Sequence, residues 1–206
     1  MTSKELFFMN GGITAYIHRD GFGEEYRATP AEEKQWTEEL IALKWHLLDT
    51  EDNLPLLQSC IDTLSYHQAP NLLQKLTARL DQASLKQRAV IAGKLWKLCH
   101  YKPSFSILHE LLLTHRDRMA DDIFWIFNEM IDNKPLQRFL VDCLEGSDTV
   151  LQQKAHLTLT MWAYMGQPRL REGMLLSDLN PDRQNPDLES YQRALEKVKR
   201  LFGIRN

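Results

Sequence analysis

The sequence predicts an all-α protein, a short solenoid of helical pairs preceded by a small N-terminal hairpin or extended arm. Three observations predict it. Pro70, Pro103, Pro135 and Pro168 recur at intervals of 33, 32 and 33 residues, and a period in the low thirties marks a helical repeat architecture. Apolar residues recur at helical spacing rather than alternating. Leucine closes the first helix of each pair in near register, at Leu80, Leu113 and Leu144.

Residues 1–28 form the hairpin or arm. Phe7-Phe8-Met9, Asn10-Gly11-Gly12 and Ile13-Thr14-Ala15-Tyr16-Ile17 read as strand, turn and strand, because Asn-Gly supplies the positive φ of a tight turn. Asp20-Gly21-Phe22-Gly23 adds a second turn signal. A single helical domain, 29–206, follows. It opens at Thr29-Pro30-Ala31-Glu32, a capping box with proline at the first helical position. Trp36, Leu40, Leu43 and Leu47 carry the first helix, widened by Ile41, Trp45 and Leu48, and Leu57, Cys60, Ile61 and Leu64 carry the second. The pairs then run 70–82 with a partner capped by Ser84 and Gln87 and ending near Tyr101, 103–115 with 119–132, and 135–145 with 149–165. Gly146 and Gly166 stand where helix ends accept a left-handed residue. A helix from Pro168 to about Leu179, a breaker at 180–186 and a last helix capped by Asn185-Pro186 and reaching Phe202 complete the chain. Trp96 and Trp162 fall 26 and 27 residues after their prolines, on apolar arcs that predict burial.

Bulk properties narrow the function. A net charge of −3 argues against a dedicated nucleic-acid binder, which is usually basic. No apolar run approaches the length of a membrane span, and residues 1–10 lack a secretory apolar core and cleavage site. A cytoplasmic protein is expected. Cys60, Cys99 and Cys143 lie far apart without CxxC spacing and read as reduced core thiols. His109 and His115 flank Glu110 but stand six residues apart, about 240° around a helix, so they cannot close on one metal. No glycine-rich phosphate loop, dinucleotide fingerprint or nucleophile elbow is present, and neither catalytic residues, metal nor cofactor are expected.

In its opening prolines, its paired helices of this length and its loose consensus, the region from about 30 to 203 resembles the HEAT/armadillo-like superfamily. The resemblance implies a right-handed α–α superhelix whose second helices line a concave face.

Charge is distributed by repeat. Residues 69–102 balance at +6, residues 103–134 at −3 and the first 68 at −7. Lys86, Lys94 and Lys97 share an arc of about 80° on one second helix, and Asp121, Asp122, Glu129 and Asp132 share about 100° on the next. Trp125 lies within that acidic arc, opposite Ile123, Ile126, Phe127 and Met130. The third arc is neutral, with Gln152, Gln153, His156 and Thr160. Aromatic anchors flanked by charge are what interfaces favour. The expected function is a non-catalytic protein–protein interaction module, an adaptor or an immunity-type inhibitor. It would bind a protein segment on the ridge of Lys86, Lys94, Lys97, Asp121, Asp122, Trp125, Glu129, Asp132, Gln152 and His156. The alternative is a HEAT-like DNA glycosylase for alkylated bases, which pairs tryptophan with a carboxylate. It conflicts with the acids around Trp125, since phosphate binding needs a basic track.

Overall fold

A computed structural model describes residues 1–172, 175–181 and 187–204. The described residues form twelve α-helices and no strand. In chain order they are α1 (Ser3–Met9), α2 (Thr14–Arg19), α3 (Pro30–Thr50), α4 (Leu54–Tyr66), α5 (Leu72–Arg79), α6 (Leu85–Cys99), α7 (Ser104–Thr114), α8 (Arg116–Phe127), α9 (Lys134–Glu145), α10 (Thr149–Met165), α11 (Leu175–Asp178) and α12 (Leu188–Phe202), with a 3-10 turn at Pro168–Arg171 before α11. The chain divides into two compact units, Met1–Lys94 and Leu95–Asn206. The division falls inside α6. Among the described residues no helix is long and apolar enough to cross a membrane.

The local signals act as elementary chemistry requires. In α3 the Thr29 hydroxyl accepts from the Glu32 amide at 3.3 Å and the Glu32 carboxylate accepts from the Thr29 amide at 2.8 Å. Ser84 and Gln87 make the same reciprocal pair at the start of α6. Asn53, Asn133 and Asp148 cap α4, α9 and α10. The prolines mark starts: Pro103 immediately precedes α7, Pro135 is its second residue in α9, and Pro168 opens the 3-10 turn. Pro70 precedes α5 by two residues, because Asn71 turns through the left-handed region at φ 57°. The expected cap at Asn185-Pro186 lies outside the described residues; the cap of α12 among the described residues is Asp187.

Several expectations are corrected. Residues 1–28 are no strand hairpin and no separate arm. Thr2 and Glu5 build a second capping box, so Phe7-Phe8-Met9 continues a helix, and α2 replaces the second strand. Asn10-Gly11-Gly12 does turn the chain, with φ of 61° and 74° at the glycines, but between helices. A β-carbon at Gly12 would lie 2.6 Å from His67 Nε2, and that nitrogen is engaged with the Gly11 carbonyl at 2.7 Å. Leu6, Phe7, Ile17, Tyr26 and Leu40 then form one buried cluster, with Trp36 packed against it. This seals the N-terminal helices onto α3.

The glycines after α9 and α10 are not left-handed. Gly146 has φ −71° and Gly166 φ −175°. The left-handed glycine cap belongs to Gly203, φ 71°, after α12. Helix α8 begins and ends earlier than expected, and residues 128–132 continue as turns. Trp162 is fully buried, but Trp96 is only half-buried.

Polar contacts between helices repeat with the proline period. Lys94 reaches back 32 residues to Asp62, Lys97 forward 32 to Glu129, Arg116 forward 32 to Asp148, and Lys154 back 33 to Asp121. Arg79 grips Asp49 with two nitrogens, 30 residues back. These five pairs join residues 30 to 33 apart in sequence, close to the proline interval.

Candidate functional site

Trp125 sits on the outer face of α8. Its neighbours Ile123, Ile126 and Phe127 turn inward and are at most 2% exposed, a polarity set by the 3.6-residue period. Trp125 is 57% exposed, well above what so large an aromatic usually retains. Helix α10 runs beside it. Trp162 locks α10 in place by donating its indole N–H to the Phe127 carbonyl at 3.1 Å.

The outer face of α10 carries the residues that the sequence reading missed. Val150, Leu157, Met161, Tyr164 and Met165 are all at least 40% exposed and occupy an arc of about 100°. Between the two helices lies a slot of about 250 Å³. Phe124, Trp125, Leu157 and Met161 supply its apolar walls. Asp121 and Lys154 close one edge as an ion pair. Asn128 lines it as well, 9% exposed, and its Oδ1 has no hydrogen-bond partner among the described residues. A buried amide oxygen without a donor is an unusual expense of free energy. The signal for this surface was in the sequence: apolar residues seven, four and four apart on the face of α10 opposite its core residues.

The expected ridge of charges is reorganised. Lys94 is not a rim residue. It is 2% exposed and its ammonium lies 2.9 Å from both Asp62 oxygens, because α6 buries Val90, Ile91 and Leu95 around it. Lys97 is half-exposed and pairs with Glu129 at 3.4 Å. Asp132 accepts from the Trp96 indole at 3.1 Å and lies 3.6 Å from His100. Asp121 is exposed and paired with Lys154. Asp122 and Lys86 are partly buried. The basic character of 69–102 thus answers acids on either side of it in sequence, and the opposed charges neutralise one another.

The neutral arc of α10 is also occupied. Gln152 donates to the Gly146 carbonyl at 2.6 Å, and His156 bonds the Leu176 carbonyl at 2.8 Å. Gln152 thus serves the turn after α9, and His156 ties α10 to α11. The structure brings Trp125 and Asp121 together on one slot and pairs Glu129 with Lys97, while Lys94, Gln152 and His156 face the protein itself.

Arg116 and the backbone amide of Leu151 hold the Asp148 carboxyl below the usual carboxylate range. Among the described residues no three metal-ligating side chains gather. Cys60 and Cys143 are buried as expected, but Cys99 is exposed, because the end of α6 leaves its apolar arc.

Compared with protein-family models, with curated proteins and with solved structures, the chain matches none of them.

Proposed function

We propose that the chain is a non-catalytic protein-interaction module built from HEAT/armadillo-type helical pairs. Its working surface is the outer face of α8 and α10, with Trp125 as anchor. The observation that carries this reading is the exposed apolar stripe itself: a half-exposed tryptophan beside Leu157 and Met161, with a slot between them. Contiguous apolar patches of this kind mark sites that another macromolecule covers. The contacts spaced 32 or 33 residues apart support the repeat architecture.

The charges around the slot are largely spent on one another, so binding rests on apolar burial. Association should therefore respond weakly to salt, unlike a surface that steers by its field. The resident Asn128 amide offers one polar contact to a bound segment, a common arrangement in which a few polar groups fix orientation within an apolar site.

Site-specific photocrosslinking tests the reading. A benzophenone amino acid at position 125 or 157 should capture the same protein partner from the native lysate, and the same probe at exposed Tyr66 should not. Leu157→Glu should abolish capture at 125 while leaving the helical circular dichroism unchanged. Equal capture from all three positions, or retention of the chain on DNA at low salt that Trp125→Ala removes, would overturn it, the latter in favour of a nucleic-acid enzyme.

A further inference from the structure

A second concavity in the Leu95–Asn206 unit has a different chemistry. It is a cleft of about 580 Å³ between α7, α9 and the end of α12, within the range of small-molecule sites. One wall is aromatic. The Phe105 ring lies nearly parallel to His109, with centroids 5.4 Å apart and planes at 12°. Phe139 stands edge-on to His109 at 5.0 Å. All three are half-buried, and Phe139 is backed by Phe127 at 6.1 Å. The facing wall is the terminus of α12, where Gly203 turns the chain and Ile204 follows.

That wall is fixed. Lys134 donates to the Phe202 carbonyl at 3.2 Å and to Gln137 at 3.0 Å, so its ammonium is committed to tying α12 onto α9. Two other charged groups, Arg138 and Asp142, line the cleft. Among the described residues, Arg138 makes no hydrogen bond or ion pair, and neither does the Asp142 side chain. They stand one helical turn apart on α9, about 5 to 6 Å between their β-carbons. The described lining thus offers aromatic faces, a guanidinium with no hydrogen-bond partner among the described residues, a carboxylate one turn away and, over Lys134, Arg138 and Asp142, a net single positive charge.

We propose that this cleft binds a small aromatic monocarboxylate carrying a hydrogen-bond donor on its ring. The ring enters between the aromatic wall and the α12 terminus, as rings prefer offset or edge contacts at such separations. The carboxylate takes the Arg138 fork bidentately. The donor is accepted by Asp142, which also repels a second anionic group. The proposal is independent of the α8–α10 surface and involves none of its exposed residues.

Titration of 4-hydroxybenzoate into the ¹⁵N-labelled full chain tests it. The expected result is saturable amide shifts confined to 105–109, 134–142 and 202–204. Phenol, acetate and terephthalate should each bind at least about tenfold more weakly, the tenfold corresponding to loss of roughly one charge-assisted contact. Arg138→Gln should weaken 4-hydroxybenzoate about tenfold or more, with Arg138→Lys intermediate. Asp142→Asn should remove most of the discrimination against terephthalate. Arg138 and Asp142 are both exposed, so these variants should keep the fold, as circular dichroism will check. No saturable shift, acetate as strong as the aromatic acid, or unchanged affinity in Arg138→Gln would each overturn the proposal.

Discussion

Trp162 and Trp96 occupy matching places in the proline register yet should differ sharply in what they contribute to stability. Trp162 is 0% exposed, donates to the Phe127 carbonyl at 3.1 Å and meets Phe202 edge-on at 6.1 Å. Burying about 150 to 250 Å² of tryptophan at ~25 cal/mol per Å² is worth ~4 to 6 kcal/mol as an upper bound. Truncations of this kind cost ~3 to 5 kcal/mol, and leaving a buried carbonyl without its donor adds ~1 kcal/mol. Trp96 is half-buried, and its indole bonds the exposed Asp132. Its truncation should cost ~1 to 2 kcal/mol, since water replaces part of what is lost. The expected gap is at least ~2 kcal/mol, a difference of at least about 0.7 to 2 M in urea midpoint for slopes of about 3 to 1 kcal/mol/M. Both residues lie in the same compact unit, so far-ultraviolet circular dichroism melts of Trp162→Ala and Trp96→Ala are directly comparable. Equal losses, or a larger loss for Trp96, would refute the assignment of Trp162 as the core lock between α8 and α10.

The remaining predictions concern thiols and acid. Iodoacetamide should label Cys99 in the native protein and reach Cys60 and Cys143 only on unfolding, read by mass spectrometry at graded urea. Cys99 is exposed, while burial pushes the Cys143 thiol up to about 12 and raises Cys60 as well. Acid should destabilise through a small set of carboxyls. Backbone and side-chain hydrogen bonds from Thr2 and Thr29 lower Glu5 and Glu32, and Arg116 lowers Asp148. A depressed folded-state value gives stability that is present above the unfolded value, about 4, and lost as pH falls through the folded one. The urea midpoint should therefore hold near neutrality and drop below about pH 4. Asp148→Asn, which keeps an α10 cap but removes the ion pair, should make that drop shallower.

Legibility followed how local each cause is. Thr29 and Ser84 act within one turn of chain, and α3 and α6 start where their capping chemistry indicates. Asn10-Gly11-Gly12 misled because a left-handed turn serves a hairpin and a helix junction equally. The deciding residues were Thr2 and Glu5, whose reciprocal cap commits Phe7 and Phe8 to a helix. In the candidate site, Trp125 was legible because the apolar residues around it, Ile123, Ile126 and Phe127, turn inward while it shares its arc with acids. Leu157 and Met161 were not, since an apolar residue on α10 reads as core until the opposite face proves to hold Trp162 and Leu159. Lys94 looked like a surface charge because Asp62 lies 32 residues away, beyond any window that helical periodicity examines. Pairing opposite charges at the proline interval would have found it.

The contacts at that interval also bear on how such a chain can grow. In a tandem array of identical blocks, each residue meets its own copy one period later, so acid faces acid and base faces base. Here the sign is keyed and changes direction: Asp62 awaits a base later in the chain, Lys97 an acid, Asp121 a base again. Copying any one block beside itself would set like charges together at these joints. The sign of each pair instead sets which side chain can stand opposite it, and the same ion pairs hold these helices side by side.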